Sequence, residues 1–180
     1  TPKGVANLVL GPGSVVGHHL INDPRVDMVS FTGGLNTGQT IMKAAVSTVK
    51  RLALELGGKN PHIIFADADI DAAIDNAVTA AFLHSGQVCS AGTRLIVERS
   101  IHDRVVKEIV RRAGQIRMGG PADLTAETGP LISKSHLEGV TKYVEKGIAE
   151  GATLLVGGKR SERSEHTKGW YYLPTVLDNC

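Results

Sequence analysis

The sequence has few aromatic residues, few cysteines and almost no net charge. Aromatic residues make up 4% of its 180 residues, the cysteines are Cys89 and Cys180, and the net charge is +2 with histidine neutral. This balance gives no basis for a nucleic-acid partner, and no apolar run approaches the ~20 residues of a membrane-spanning helix. Two isolated cysteines form neither a disulfide framework nor a clustered zinc site. We therefore expect a cytoplasmic protein with no nucleic-acid, membrane or metal partner.

An initiator methionine is also absent: the sequence opens with Thr1-Pro2-Lys3, shortly before the first apolar run. We therefore expect an internal fragment of a longer protein.

Glycine, in contrast, is abundant, with 21 residues. Many tight turns and few aromatic side chains favour an α/β protein over a β-sandwich.

Strands alternate with glycine-rich turns and helices in the first third of the chain. Apolar and β-branched runs predict the strands, and apolar residues at helical spacing predict the helices. This order indicates a mostly parallel, Rossmann-like sheet that binds ligands at the carboxyl ends of its strands. The predicted strands are 5–10, 26–31 and 51–56, the turns are 11–17 and 32–38, and the helices run to about 22 and over 39–48.

The rest of the chain predicts a second α/β portion. The clearest break in organisation falls at 57–61, so we expect one domain over 1–57 and another over 58–180. A charged stretch without apolar spacing, 159–168, predicts a solvated loop. Further strands are predicted at 62–65, 93–98 and 153–156, and helices from Asp67 to Ser85, from Ser100 to Gln115 and from Ser133 to Ala149.

Cys89 is the first candidate for chemistry. It lies between a predicted helix and a predicted strand, on a turn that contains Gly86 and Gly92. A thiol presented by a turn can act as a nucleophile once it ionises, and neighbouring backbone N–H groups can stabilise an oxyanion. The alternative is that Cys89 is an inert, buried, small hydrophobic residue. His62 and His84 are weaker candidates for its base.

Glu55 is the second candidate, because it is the only charged residue in the run Leu52-Ala53-Leu54-Glu55-Leu56. It either faces outward from one side of a strand or lies in a poorly solvated cleft as a general base. The two glycine-rich turns suggest a binding site for a phosphate-bearing ligand. The first turn, however, reads G-x-G-x-x-x-G, one residue longer than the dinucleotide fingerprint, and is weak support when taken alone.

Three blocks together resemble the aldehyde dehydrogenase superfamily: F-T-G-G at 31–34, L-E-L-G-G-K-N-P at 54–61 and G-Q-V-C-S-A-G at 86–92. The detail around the third block is most similar to the betaine aldehyde dehydrogenase branch. The resemblance implies that 1–57 is the C-terminal part of an NAD(P)-binding domain. It implies that 58–180 is the N-terminal part of an α/β catalytic domain.

The resemblance also implies roles. Cys89 would attack the aldehyde to give a thiohemiacetal, and hydride would pass to NAD or NADP, with NAD favoured. Glu55 would activate the water that hydrolyses the resulting thioester, and the Cys89 N–H would form half of the oxyanion hole. The implied cofactor-binding residues are Gly13 near the adenosine, Thr32, Gly33, Gly34, Leu35 and Asn36 along the pyrophosphate and nicotinamide, and the Leu56 backbone at the nicotinamide.

Other family parts lie outside these residues, including the asparagine of the oxyanion hole, the groups that hold both riboses and the oligomerisation segment. We therefore expect a full-length homodimer or homotetramer that acts on an aldehyde, and an inactive fragment. Two other readings stay open. One is acyl transfer or hydrolysis by Cys89 without nicotinamide, and the other is a non-catalytic module with an inert Cys89.

Overall fold

The computed structural model describes residues 1–180, in which helices cover two-stranded sheets. The chain divides into two compact units, Thr1–Gly57 and Gly58–Cys180. None of its helices is both long enough and apolar enough to cross a membrane.

The first unit is built on two parallel strands, β1 (Met28–Gly33) and β2 (Arg51–Leu56). A helical turn, Gly13–Gly17, and α1 (His18–Asn22) precede them, and α2 (Leu35–Ala45) connects them. Helix α2 packs against β2 at Gly38, where an added Cβ would lie 2.9 Å from Cδ2 of Leu56. A larger residue at this position would therefore require the Leu56 side chain to shift.

Hydrogen bonds from Lys50 connect the start of β2 to the segment between α1 and β1. Its side chain is buried, and its ammonium group donates to the carbonyls of Asp23 at 2.6 Å and Val26 at 2.7 Å. A buried charge needs such partners. The two bonds join segments 24 and 27 residues apart in sequence.

Residues 5–10, predicted as a strand, form no strand within these 180 residues. The segment pairs with no other strand, and Leu8 and Leu10 are 83% and 82% exposed. A strand requires a neighbour for its main-chain hydrogen bonds, and the sheet of this unit contains only β1 and β2. The second glycine turn is also shorter than predicted, since Gly34 alone separates β1 from α2.

The second unit contains parallel strands β3 (Pro61–Ile64) and β4 (Arg94–Val97), with α3 (Ile70–Phe82) between them. It continues with α4 (His102–Ala113), α5 (Lys134–Ala149) and an antiparallel pair, β5 (Thr153–Val156) and β6 (Val176–Asp178). The core lies where α3 and α4 meet the β3–β4 sheet. Its buried members are Ile64, Ile70, Ile74, Ala77, Val105 and Ile109.

Two predicted helix starts are confirmed by their caps. The Asp69 carboxylate accepts from the Ala72 N–H at 3.2 Å, and the Ser133 hydroxyl accepts from the His136 N–H at 3.1 Å. The expected cap at Ser100 does not form, because its hydroxyl instead donates to Glu98 at 2.6 Å, and a 3₁₀ turn over Arg99–Ile101 leads into α4 at His102. A serine can bond to nearby groups outside a helix, so its presence alone does not fix a helix start.

The predicted solvated loop over 159–168 is wrong in one respect, because His166 is only 1% exposed. Its Nε2 lies 3.1 Å from the Met118 carbonyl and its Nδ1 lies 2.7 Å from the Ser161 hydroxyl. Its ring stacks on Tyr171 with 4.1 Å between centroids. Both ring nitrogens are bonded, which makes burial of this polar side chain tolerable.

His102 links the N-terminus of α4 to β6 and makes stability depend on pH. Its Nδ1 lies 3.0 Å from Asp103 and its Nε2 lies 3.2 Å from Asp178. Hydrogen bonds to Asp103 first and Asp178 second raise the pKa of His102 above its ordinary value near 6.5. Its stabilising effect is therefore complete below about 6.5 and lost as pH rises through the raised folded-state pKa.

We expect the free energy of unfolding to fall between pH 6 and pH 8.5 by more in the native chain than in His102→Gln. Glutamine cannot acquire charge, so the variant loses this contribution at both pH values. Urea unfolding followed by the fluorescence of Trp170, which lies in the same unit, measures the difference. Equal pH dependence in both proteins would show that His102 carries no such linkage.

Candidate active site

Cys89 lies on a tight turn between α3 and β4. The Ala91 N–H donates to the Val88 carbonyl at 3.1 Å, so Cys89 and Ser90 occupy the central positions. The Cys89 side chain is exposed, and its own N–H donates to no group of the chain. Within these 180 residues, the structure thus presents an accessible thiol beside an available main-chain donor.

The segment leading into this turn has an unusual backbone. His84, Ser85 and Gly86 have φ angles of 50°, 60° and 72°, so three consecutive residues lie in the left-handed region. This conformation costs about 1–2 kcal/mol for each residue that has a Cβ. Such a run persists only where its surroundings stabilise it.

Hydrogen bonds from three other segments hold the Cys89 turn. The Asn60 side chain, just before β3, donates to the Cys89 carbonyl at 2.9 Å. The Gln87 side chain accepts from the Ile132 N–H at 2.9 Å. The Gly92 N–H donates to the Ala80 carbonyl of α3 at 3.2 Å. Both sides of the thiol are therefore fixed to the body of the second unit.

The sequence did not point to Asn60, Gln87 or Thr128, which contacts Ser85. Each side chain acts on a partner 29 to 45 residues away, and such pairs leave no local periodicity. The only available signal was that Asn60 and Gln87 belong to the recognised blocks. Neither His62 nor His84, the candidate bases, forms a hydrogen bond with Cys89. His62 instead packs beneath Gly92, where an added Cβ would lie 3.3 Å from its ring.

In the first unit, Glu55 lies at the carboxyl end of β2, directly opposite Thr32 of β1. Both side chains are exposed, because α2 packs through Gly38 against Leu56, which alternates with Glu55 along the strand. Taken by itself, this unit leaves Glu55 exposed, and the poorly solvated cleft of the other reading would need groups from outside the unit. The outward-facing alternative matches what the unit contains.

The predicted cofactor residues gather at the same sheet edge, apart from Gly13. Gly33 lies opposite Leu56 in the sheet, and Gly34 is the N-cap of α2 with no side chain capping the helix. Leu35 and Asn36 form the first turn, which contains no acidic residue. The unpaired N–H groups at a helix N-terminus attract anions, so these residues fit a pyrophosphate. Gly13 lies elsewhere, at the start of the helical turn before α1.

The family model described as the aldehyde dehydrogenase family matches residues 1–180. The chain is 56% identical over 179 residues to a betaine aldehyde dehydrogenase of Bacillus subtilis (strain 168). The matched region covers 99% of this chain and 36% of that protein. Among solved structures, betaine aldehyde dehydrogenase from Staphylococcus aureus in complex with NAD+ is 47% identical. It superposes with a TM-score of 0.97 over 100% of this chain and 36% of its own.

An apo form of a point mutant of the same Staphylococcus enzyme gives a TM-score of 0.96 at the same identity and coverage. The chain thus spans about a third of the length of the relatives that it matches. It belongs to the aldehyde dehydrogenase family. The resemblance recognised from the three sequence blocks and the expected Rossmann-like α/β fold are both confirmed.

The left-handed backbone at Gly86 gives a direct test of the strained segment. The backbone of Gly86 has φ of +72°, and an added Cβ would lie 3.1 Å from the Ala81 carbonyl oxygen. We expect Gly86→Ala to lower the free energy of unfolding by about 1–2 kcal/mol. In Gly139→Ala, the control, the new Cβ meets nothing within 4 Å on α5, and helix propensity should stabilise the chain by up to about 1 kcal/mol.

Urea unfolding of both variants, followed by Trp170 fluorescence, measures the two changes. Opposite signs are the expected outcome. A neutral or stabilising effect of Gly86→Ala would mean that the left-handed turn is not required.

Proposed function

We propose that the full-length protein oxidises an aldehyde to a carboxylic acid with NAD, and that Cys89 is its nucleophile. The observation that carries this proposal is the exposed Cys89 thiol on an anchored turn, in a chain whose whole length matches the aldehyde dehydrogenase family. The parts 1–57 and 58–180 serve as portions of the cofactor-binding and catalytic domains, respectively.

The first step needs a thiolate and a donor for the oxygen that becomes negative. The Cys89 Sγ forms a bond to the carbonyl carbon, and the carbonyl electron pair moves to oxygen. The Cys89 N–H, which has no acceptor in the chain, can donate to that oxyanion. A main-chain donor on a fixed turn is already oriented, so little reorganisation is required when the charge develops.

NAD, when bound, supplies the nicotinamide that accepts a hydride. The uncapped N-terminus of α2, from Gly34 to Asn36, holds the pyrophosphate through its backbone N–H groups. Thr32 and Gly33 would contact the nicotinamide half, the Leu56 backbone would contact the nicotinamide and Gly13 would lie near the adenosine. NAD is preferred over NADP in this proposal because the solved Staphylococcus relatives are complexes with NAD+.

Loss of hydride from the thiohemiacetal carbon leaves a thioester on Cys89. We assign Glu55 to its hydrolysis, in which the carboxylate accepts a proton from water as the new C–O bond forms. The C–S bond then breaks, releasing the acid and restoring the thiol. This role distinguishes oxidation to an acid from transfer of the acyl group to another thiol.

Betaine aldehyde is the first substrate to test, because the similar proteins of Bacillus and Staphylococcus are betaine aldehyde dehydrogenases. A cytoplasmic homodimer or homotetramer is the assembly that the resemblance implies for the full-length enzyme. The 180-residue chain alone is proposed to be inactive, since family groups that hold the ribose rings and complete the oxyanion hole lie outside it.

In a polypeptide of full family length that contains this sequence, Cys89→Ala should abolish aldehyde-dependent formation of NADH. The variant lacks the atom that bonds to the substrate, so the loss should reach at least about 10³-fold in kcat. Absorbance of NADH with betaine aldehyde and NAD measures it. Cys180→Ser, which changes the other exposed cysteine, is the matched control and should retain activity. Persistence of activity in Cys89→Ala would exclude the assignment.

Glu55→Gln should separate the two halves of the reaction. Because Glu55 is assigned only to the water, the variant should still form about one NADH per active site in the first turnover and then stop. Rapid-mixing absorbance followed by a steady-state assay measures both phases. Loss of the first turnover would place Glu55 in the oxidation step instead, and unchanged steady-state turnover would remove it from catalysis.

A further inference from the structure

Ser85 makes an unusual set of hydrogen bonds at the centre of the left-handed segment. Its N–H donates to the Thr128 hydroxyl oxygen at 3.0 Å, and its own hydroxyl lies 3.0 Å from the same atom. The Ser85 hydroxyl also donates to the Gly129 carbonyl at 2.7 Å. Main chain and side chain of one residue are therefore both bound to a two-residue segment that is 43 residues away in sequence.

The donors and acceptors of this cluster can be assigned without conflict. The Ser85 hydroxyl proton goes to Gly129, whose carbonyl can only accept. The Thr128 hydroxyl then accepts from the Ser85 N–H and donates to the Ser85 oxygen. The Thr128 hydroxyl also lies 3.4 Å from the Phe82 carbonyl, a longer second acceptor for its proton, and both side chains are half-buried. Removing either hydroxyl leaves a partly buried polar group without its partner, which is unfavourable.

Thr128 is itself held by the main chain on its far side. Its carbonyl accepts from the Gly119 N–H at 3.0 Å, and the residue forms a bridge with Met118. The Met118 carbonyl is in turn the partner of the buried His166 ring. Thr128 therefore presents its hydroxyl from a fixed segment and not from a free loop.

We infer that Ser85 and Thr128 form a positioning pair that sets the place of the Cys89 thiol. The inference rests on the proposed role of Cys89. Ser85 precedes the thiol by four residues, and the backbone between them turns tightly, from the left-handed run to the bond between Ala91 and Val88. A shift at Ser85 is passed directly to Cys89 and its N–H. Misplacement of a reacting atom by about 1 Å can cost about 10²-fold in rate.

A purely stabilising pair would behave differently from a positioning pair. Substitution of a stabilising residue lowers the free energy of unfolding and leaves the turnover of the folded enzyme unchanged. A positioning pair lowers kcat while leaving substrate affinity nearly constant, because the groups that bind the aldehyde and cofactor stay in place. The split between kcat and KM therefore separates the two roles.

The test uses the enzyme of full family length with three substitutions. Thr128→Val removes the hydroxyl at nearly constant shape, and Thr128→Ser restores it. The control, Thr141→Val, makes the same chemical change on α5, where the Thr141 hydroxyl bonds only to the Leu137 carbonyl at 2.9 Å. We expect kcat to fall about tenfold or more in Thr128→Val with KM changed less than about twofold. Thr128→Ser and Thr141→Val should stay within about twofold of the native kcat.

Equal kcat in Thr128→Val and Thr141→Val, or failure of Thr128→Ser to restore activity, would overturn the inference. Ser85→Gly provides a second variant should Thr128→Val fail to fold. It removes the hydroxyl but relieves the left-handed strain at φ of 60°, so it should fold normally and still lose kcat about tenfold. Native kcat in Ser85→Gly would equally contradict the inference.

A readout independent of aldehyde oxidation separates this inference from the proposed function. The rate of iodoacetamide alkylation at Cys89, relative to Cys180 in the same molecule, is followed by peptide mass spectrometry. It should change several-fold in Thr128→Val and not in Thr141→Val, because the surroundings of a thiol set its reactivity. This change is expected even if Cys89→Ala retains activity. An unchanged ratio in Thr128→Val would overturn the positioning role.

Discussion

The left-handed backbone of His84, Ser85 and Gly86 is the constraint on which the candidate active site depends. It converts the end of α3 into a turn that carries Cys89 out to the surface and then leads the chain into β4. Two of its three residues have a Cβ, so the conformation is costly by itself. The hydrogen bonds of Ser85 to Thr128 and Gly129 offset that cost. A loop without such partners would relax to an ordinary helix end, and the thiol would lie elsewhere.

The same physical logic operates at the edge of the β1–β2 sheet. Gly38 lets α2 approach Leu56, and Gly34 ends β1 and begins α2 with no intervening loop. The N-terminus of α2 therefore lies directly beside the last residues of β1. Parallel register then brings the carboxyl end of β2, with Glu55, alongside Thr32. Close packing at one glycine and a one-residue turn at another are enough to gather the candidate cofactor residues.

Features that depend on neighbouring residues in sequence were predictable, and features that depend on distant partners were not. The capping of α3 by Asp69 and of α5 by Ser133 follows from local chemistry, as do the bounds of β2. The segment expected as a strand over 5–10 has no partner within these 180 residues, because pairing depends on a neighbour that the local pattern does not specify. His166 looked exposed because its partners Met118 and Tyr171 are set by tertiary packing. Cys89 and Glu55 stood out by their settings, whereas Asn60 and Thr128 resemble ordinary turn residues until the fold brings them to the Cys89 turn.

In the proposed reaction, both sites where negative charge must be held use main-chain donors. The N–H of Cys89 faces the developing oxyanion, and the first N–H groups of α2 face the pyrophosphate. Such donors cannot be removed by substituting a side chain, and they work only while the backbone keeps its shape. In this proposal both sites therefore depend on residues that shape the backbone: Gly34 and Gly38 in one unit, and Gly86, Ser85 and Thr128 in the other. On the inferred positioning role, Ser85 and Thr128 would thus set the reactivity of the thiol without contacting the substrate.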